Sequence, residues 1–503
     1  MAWYYNLRYW IIFGARETTF MNKLSVLFLL LFFFFTTKSF AQTYSQYNTG
    51  TLFDSFENPS QRSFIPDSSR RYASNFFIPN IDGNFFLTGN AQQTIKNRYY
   101  NGYYKNDLLK IGPGNNYNNI NANANAYILM FKIYTSFNGD AELGFFLQTK
   151  ANFRGSFTDE NIALLNGAAD FPNSSYTNVL NSKYRYQLYG QGGLTYREQV
   201  TKQFAFGIKL GYVTGIYDAT VNIDQSKINF DKAADTAALY LGGTYRKTQS
   251  INAIPIFNPG MTASIGTTYK TEDGFIIQAN VKDLGFIHWN HLMRIYNFSP
   301  SIETTIKGLS TPDRESNVYN AFISEMHHNG TDISYTTPLD GTAELSLSKL
   351  YWLGEDNVVS YSPTLIASKE LFYNGFTGVL VNPVNYQNYT ATVSMSYDNN
   401  KLFNLGGQLM IKSPNAEFFV GSDKLLQTGR LVLSDLGSQR EINEYGSFTG
   451  ADIYVGVSFK FGPVIEHPMN ASYIPINEDD NKGFLGRLWD KLFNPNAGSI
   501  QNN

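Results

Sequence analysis

"GDAELGFFLQTKANFRG", residues Gly139–Gly155, separates into two chemically different sets when every second residue is read. Ala141, Leu143, Phe145, Leu147, Thr149, Ala151 and Phe153 form one set; Glu142, Gly144, Phe146, Gln148, Lys150, Asn152 and Arg154 form the other. A β-strand sends successive side chains to opposite faces, so this segment is a strand with a greasy side and a charged side. A soluble sandwich would bury the greasy side. A membrane barrel would show it to lipid and keep the polar side for its lumen.

Composition favours the barrel. The chain of 503 residues holds 35 Tyr, 40 Phe and 5 Trp together with 41 Gly, yet its mean hydropathy is below zero. Past the N-terminal region no segment approaches ~18 consecutive apolar residues, which argues against transmembrane helices. Many aromatics without apolar runs suit strands that are greasy on one side only, with Tyr, Trp and Phe collecting at the two membrane interfaces.

The N-terminus carries an export signal by its anatomy. From Met21 the sequence reads "MNKLSVLFLLLFFFFTTKSFAQ", with Lys23 as the positive start, Leu24–Thr37 as the apolar core and Ser39-Phe40-Ala41 as a small-x-small end. Cleavage is expected after Ala41. The apolar run is shorter than the ~20 residues a spanning helix needs. Met21 alone opens a complete signal, so Met1–Phe20 reads as an upstream extension. Loss of residues 1–41 removes Arg8, Arg16, Lys23, Lys38 and Glu17, which leaves 35 Lys+Arg against 40 Asp+Glu and a net charge of −5. That balance gives no case for nucleic acid. With no cysteine anywhere, neither disulfides nor a lipidated Cys can hold the mature chain.

Alternation recurs along the mature chain. Phe204, Phe206, Ile208, Leu210 and Tyr212 face away from Gly207, Lys209 and Gly211; Phe275, Ile277, Ala279 and Val281 face away from Gln278, Asn280 and Lys282. Tyr389–Tyr397, Phe403–Lys412 and Ala451–Gly462 repeat the pattern. Each is longer than the ~5–6 residues usual in soluble sheets and close to what a tilted strand needs to cross a bilayer. "FNGDA" (137–141), "TEDGF" (271–275) and "YDNNK" (397–401) are tight-turn chemistry. Longer polar connections are expected at 157–183, 218–236, 298–337 and 354–387, the asymmetry of short turns at one end and long loops at the other.

These readings give an all-β fold: a closed antiparallel transmembrane β-barrel of about 14 strands (12 to 16) over residues 81–462, closed because no strand edge can face lipid. Residues 42–80 form a polar lead-in, lying in the lumen or hanging in the periplasm. Residues 463–503 form a periplasmic tail. There "NKGFLGRLWDKLFN" spaces Phe484, Leu485, Leu488, Trp489, Leu492 and Phe493 along one face of an amphipathic helix, 482–493, suited to a membrane interface or a protein partner.

"ENPSQRSFIP" (57–66), "VKDLGFIHWN" (281–290), "YTTPLDGTAELSLSKLYW" (335–352) and "FFVGSDKLL" (418–426) resemble the signature segments of an uncharacterised family of Bacteroidota-type outer-membrane β-barrels. "KDLGFIHW" is the most specific piece. That family is distantly similar to the long-chain fatty-acid transporter barrels. The resemblance implies a 14-strand fold, a lumen plugged by the N-terminal segment and a place in the outer membrane of a Gram-negative bacterium, without an established activity. The amphipathic tail is a departure from the fatty-acid transporters.

No enzyme signal emerges, and no cofactor is expected. The five histidines are His288, His291, His327, His328 and His467; neither His288/His291 nor His327/His328 with Glu325 comes with the ligand set of a closed metal site. Ser324, His327 and Asp332 are near one another only in sequence. "GPGNN" (112–116) lacks the Lys-Ser/Thr of a phosphate loop. The functional candidates are the inward set: Glu142, Gln148, Lys150, Asn152, Arg154, Lys209, Gln278, Asn280 and Lys282. They would line a solute path or interlock as a network that fills the barrel. Phe146 and Ile276, apolar on the same side, would pack a plug or touch a hydrophobic solute. Passage of small hydrophobic solutes is the first expectation, and a non-transporting structural subunit of an envelope complex the second.

Overall fold

The computed structural model describes residues 44–135, 141–250, 257–354, 356–373, 375–398, 402–443 and 448–466. The signal segment, residues 42–43, His467 and the amphipathic helix 482–493 lie outside the described residues, as does most of each turn at 137–141 and 397–401.

Fourteen antiparallel strands close into a barrel. The wall runs β1 (Arg70–Ser74 continuing as Asn80–Thr88), β2 (Tyr117–Tyr134), β3 (Ala141–Thr158), β4 (Ser182–Gln199), β5 (Phe204–Asp231), β6 (Pro259–Lys270) and β7 (Phe275–Trp289). It continues through β8 (Thr342–Lys349), β9 (Thr364–Glu370), β10 (Phe376–Tyr386), β11 (Tyr389–Asp398), β12 (Phe403–Lys412), β13 (Ala416–Ser422) and β14 (Thr449–Val464). Each pairs with the next, and β14 returns to β1 with Ala73 opposite Lys460 and Gly83 opposite Ile453. No backbone edge is left for lipid.

The alternation of the opening segment sets its two faces. Leu143, Phe145 and Leu147 are exposed on the outside, and the same belt is continued by Leu194, Leu210, Met261, Leu365 and Leu409. Glu142, Gln148, Lys209, Gln278 and Asn280 are buried on the inside. Among the described residues no helix is long and apolar enough to cross a membrane.

β1 is broken in mid-course. At 75–79 the chain leaves the ladder, and Asn75 substitutes for the missing backbone: its amide donates to the carbonyls of Tyr127 and Ile128 at 3.1 and 3.2 Å, and its Oδ1 accepts from the Met130 N–H at 2.7 Å. Asn80 does the same for Val457 N–H at 3.0 Å. The wall is stitched by two asparagines where strand pairing lapses, as buried backbone groups require.

Two sequence expectations change. The wall starts at Arg70 instead of near 81, because "RRYAS" pairs with both β2 and β14 although it is too short to show a clear period. Residues 354–387 are not one long loop but contain β9 and the whole of β10; Thr364, Ser368 and Thr377 are buried on the inside beside Ile366, Val379 and Val381, so the small polar residues there belong to the wall and not to a connection. Similarly, β5 runs to Asp231 and covers most of the expected loop 218–236. Its outer half joins strands 236–248, 293–298 and 304–307 in a rim domain. Helix 314–326 packs on that sheet around Leu239, Phe298, Ile306 and Val318. The long connections, 88–117, 158–182, 289–342 and 422–449, all gather at this end of the barrel. Tight links such as 199–204, 270–275 and 412–416 gather at the other.

Candidate solute cavity and plug

Residues 44–69 enter the lumen and fill the end with short turns. After a single 3-10 turn at Tyr44–Gln46 comes an α-helix, α1 (Leu52–Glu57), which starts at Thr51, whose hydroxyl accepts from the Asp54 N–H at 3.2 Å as an N-cap should. Leu52, Phe53, Phe56 and Phe64 are fully or almost fully buried against Tyr127, Phe146, Phe419 and Tyr454 of the wall. Phe56 and Phe146 meet edge to face at 6.1 Å, so the inward Phe146 serves the plug.

Backbone groups of the plug that cannot pair with one another pair with wall side chains. Glu142 accepts from Ser63 N–H at 3.0 Å and holds Lys132 at 3.2 Å, both side chains being wholly buried. Glu417 accepts from Leu52 N–H at 2.8 Å and pairs with Lys460 at 2.7 Å; Lys460 also donates to Ser63 O at 2.7 Å. Lys412 donates to Thr49 O, Arg197 to Ser60 O and Asn280 to Glu57 O. These side chains, all but Asn280 charged, work as plug anchors: each satisfies plug groups that would otherwise be buried unpaired.

Shape completes the seat. Gly207 of β5 and Gly266 of β6 lie directly opposite one another. A Cβ on Gly207 would stand 2.0 Å from Pro59 O, and one on Gly266 2.3 Å from Asn58 Oδ1. The glycine pair is a notch cut for the bend at 58–60.

On the plug helix itself, burial pushes the Asp54 carboxyl up to about 7, against the pull of the Gly50 N–H and of Lys282 and Lys412. Gly50 N–H donates to Asp54 Oδ2 at 3.0 Å.

Above the plug the lumen opens into a cavity of about 870 Å³ at the end with the long connections. Tyr44 and Glu57 of the plug form part of its floor. The nine inward candidates divide between these two zones. Lys150, Asn152, Arg154 and Lys282 line the cavity, whereas Glu142, Gln148, Lys209, Gln278 and Asn280 are buried at plug level. Lys150 pairs with Asp283 at 2.5 Å and Lys282 with Glu344 at 3.1 Å. Arg154 makes a two-pronged pair with Glu370 at 2.9 and 3.0 Å, and the ring of Tyr373 lies 3.8 Å from its guanidinium carbon. Lys209 donates to Tyr127 Oη at 2.7 Å.

Asparagine makes up one wall of the cavity. In "NINANANA", residues 119–126, every second residue is Asn, and Asn119, Asn121, Asn123 and Asn125 all line the cavity. Across the ladder Asn123 stands between Asn84 of β1 and Asn152 of β3, and Asn121 stands opposite Arg154. The inward set drawn from sequence omits these residues. The period-two Asn/Ala pattern was visible, but the small, weakly apolar alanines give it no greasy face to mark it as a strand.

The histidines are dispersed. His288 is held by Thr336 and Ser334 on the rim, His291 stacks on Phe257, and His327 caps onto Ile323 O. His328 stands 3.8 Å from Glu325. Among the described residues no three His, Asp or Glu side chains could hold a metal ion together.

Residues 70–423 match the model of a family described as a family of unknown function, DUF5723, and the chain belongs to that family. No curated protein matches. Similar solved structures include the Ralstonia pickettii toluene transporter TbuX (10% identity, 81% of this chain and 92% of that one, TM-score 0.38). Others are the Pseudomonas putida toluene transporter TodX (10%, 81% and 94%, 0.38) and a Pseudomonas aeruginosa FadL homologue (12%, 81% and 93%, 0.38).

Proposed function

We propose that this member of the DUF5723 family is an outer-membrane β-barrel of a Gram-negative bacterium that admits small solutes to a cell-surface cavity and passes them when its plug gives way. The apolar belt around a closed wall supports the membrane setting, since exposed Leu, Met and Phe on every outward face would be costly in water. Long connections at the cavity end support an orientation with that end at the cell surface. The observation that carries the reading is the division of the lumen into a filled zone and an open one. A structural subunit would have no need of a vestibule shaped for a small molecule, which favours passage over the alternative role as a non-transporting part of an envelope complex. The polar lining moves the expected solute from the hydrophobic class to a polar one.

The notch offers the cleanest test. Gly207→Val would drive a side chain into Pro59 while leaving every anchor charge in place. Reconstituted in liposomes, this variant should swell in small sugars and amino acids at least tenfold faster than the parent. Equal rates, with the variant folded by heat-modifiable electrophoretic mobility, would sink the passage reading.

A further inference from the structure

We propose that a helix of the last long connection, α2 (Leu425–Asp435), lies in the membrane and closes a gap in the barrel wall, its apolar stripe set among the acyl chains of the leaflet at the cavity end; this rests on the reading of the outer belt as lipid-facing. The gap is a missing length of strand. β13 pairs with β12 from Gly407 to Lys412 and with β14 from Tyr454 to Phe459. Beyond those points β12 runs on to Phe403 and β14 to Thr449, with no strand between them among the described residues. Two strand edges thus face one another where Asn404, Asp423 and Lys424 line the cavity. Hydrocarbon tolerates no such open edge.

α2 fills the gap. On one edge Gln427 Nε2 donates to Phe403 O at 3.5 Å; on the other Thr428 Oγ1 accepts from the Asp452 N–H at 3.0 Å and donates to Asp452 O at 3.4 Å. A helix pairs its backbone internally, which makes it the one element besides a paired strand that lipid accepts. Its polarity is inside out. Gln427 and Ser434 are buried, whereas Leu425, Leu426, Val432, Leu433 and the terminal Leu436 are exposed, from 45% at Leu425 to 77% at Leu436. With Gly429 these positions form a single stripe along the helix, and a helix docked on a protein in water would turn that stripe inward.

What covers the stripe follows from where it begins. A Cβ on Gly407 would stand 2.6 Å from Leu425 Cδ1, so Leu425 rests on the outward side of β12, in the row that holds Phe403 and Leu409. Ile453 of β14 is exposed on the opposite flank. The stripe is therefore continuous with the belt, and exposed polar residues return just past it at Gln439 and Arg440. Acyl chains that cover the belt reach the stripe as well, since an amphipathic helix of this kind seats its apolar face ~5–10 Å into the boundary of a leaflet.

Because the chain has no cysteine, single thiols can report on each surface. Leu409→Cys on the belt, Val432→Cys and Leu436→Cys on the stripe, and Arg440→Cys beyond it would be labelled with bimane in the full chain and reconstituted in phosphatidylcholine vesicles. Nitroxide-bearing phosphatidylcholine quenches from the bilayer and iodide from the water. The nitroxide lipid should quench both stripe positions to within about twofold of Leu409→Cys, and Arg440→Cys roughly fivefold less. Iodide should give the reverse order. Heat-modifiable electrophoretic mobility checks that each variant is folded, and either stripe position suffices. Iodide quenching on the stripe equal to that at Arg440→Cys would overturn the proposal by leaving the helix in water. Shielding from both quenchers would overturn it by placing a second copy of the chain on the stripe. Loss of lipid quenching at Leu409→Cys as well would bring down the belt reading, whereas its loss on the stripe alone would remove only the membrane-seated helix.

Discussion

Glu142 shows why a charged strand face does not by itself mean a channel. The alternation of residues 139–155 puts it inside, but only the fold brings Lys132 and the backbone of Ser63 and Phe64 to it. No spacing in the sequence links residue 63 to residue 142. Glu142→Ala strands the buried ammonium of Lys132 and two plug N–H groups, and should cost about 3–5 kcal/mol. Glu142→Gln keeps an acceptor and should cost less. Urea unfolding of the two variants in lipid vesicles, followed by tryptophan fluorescence, checks the order; equal loss in both would show that the charge itself is immaterial. Asn121 and Asn123 illustrate the opposite difficulty. Their position on an inward face was open to reading, but asparagine alternating with alanine resembles loop chemistry until neighbouring strands are seen to frame it.

At the scale of elements, the long alternating segments 204–212, 275–282, 389–397 and 403–412 declare themselves in sequence, because both of their faces have strong and opposite requirements. The plug does not, since its helix has only six residues and its partners are scattered over most of the wall. Asp54 gives that helix a dependence on pH. Its carboxyl titrates near 3.8 when free in solvent and at about 7 in the seated plug. Its pKa is raised on docking, so the seated state favours the protonated form. The resulting stabilisation is fully present below about 4, is lost as pH rises through about 7, and is absent above that. Liposomes bearing the parent protein should therefore leak more at pH 8 than at pH 5. Asp54→Asn, neutral throughout, should show the same leak at both; an unchanged pH response in this variant would remove Asp54 as its source.

For the whole molecule, the decisive property is which solvent the outer belt meets. Leu194 is 57% exposed on β4. Leu194→Arg on a water-facing surface would be nearly neutral, whereas within a bilayer it should cost about 2–4 kcal/mol, depending on depth. Urea unfolding in phosphatidylcholine vesicles measures this directly, and a loss below about 0.5 kcal/mol would place the residue outside the apolar zone. Closure was legible as a necessity, because strands this long and this greasy cannot leave an edge free. The break in β1 was not, since nothing in "NFFIP" announces that one asparagine side chain will stand in for a stretch of ladder. The plug's anchors, finally, bear on the order of assembly. Leu52 waits on Glu417, and Ser63 on both Glu142 and Lys460. These residues come from opposite ends of the chain and become neighbours only when the last strand meets the first, an encounter penalised by its large loop-closure entropy. A barrel with an open seam has no complete seat to offer. Seating of residues 44–69 is then the final event of folding, and a molecule whose lumen is filled is one whose wall has already been checked for closure.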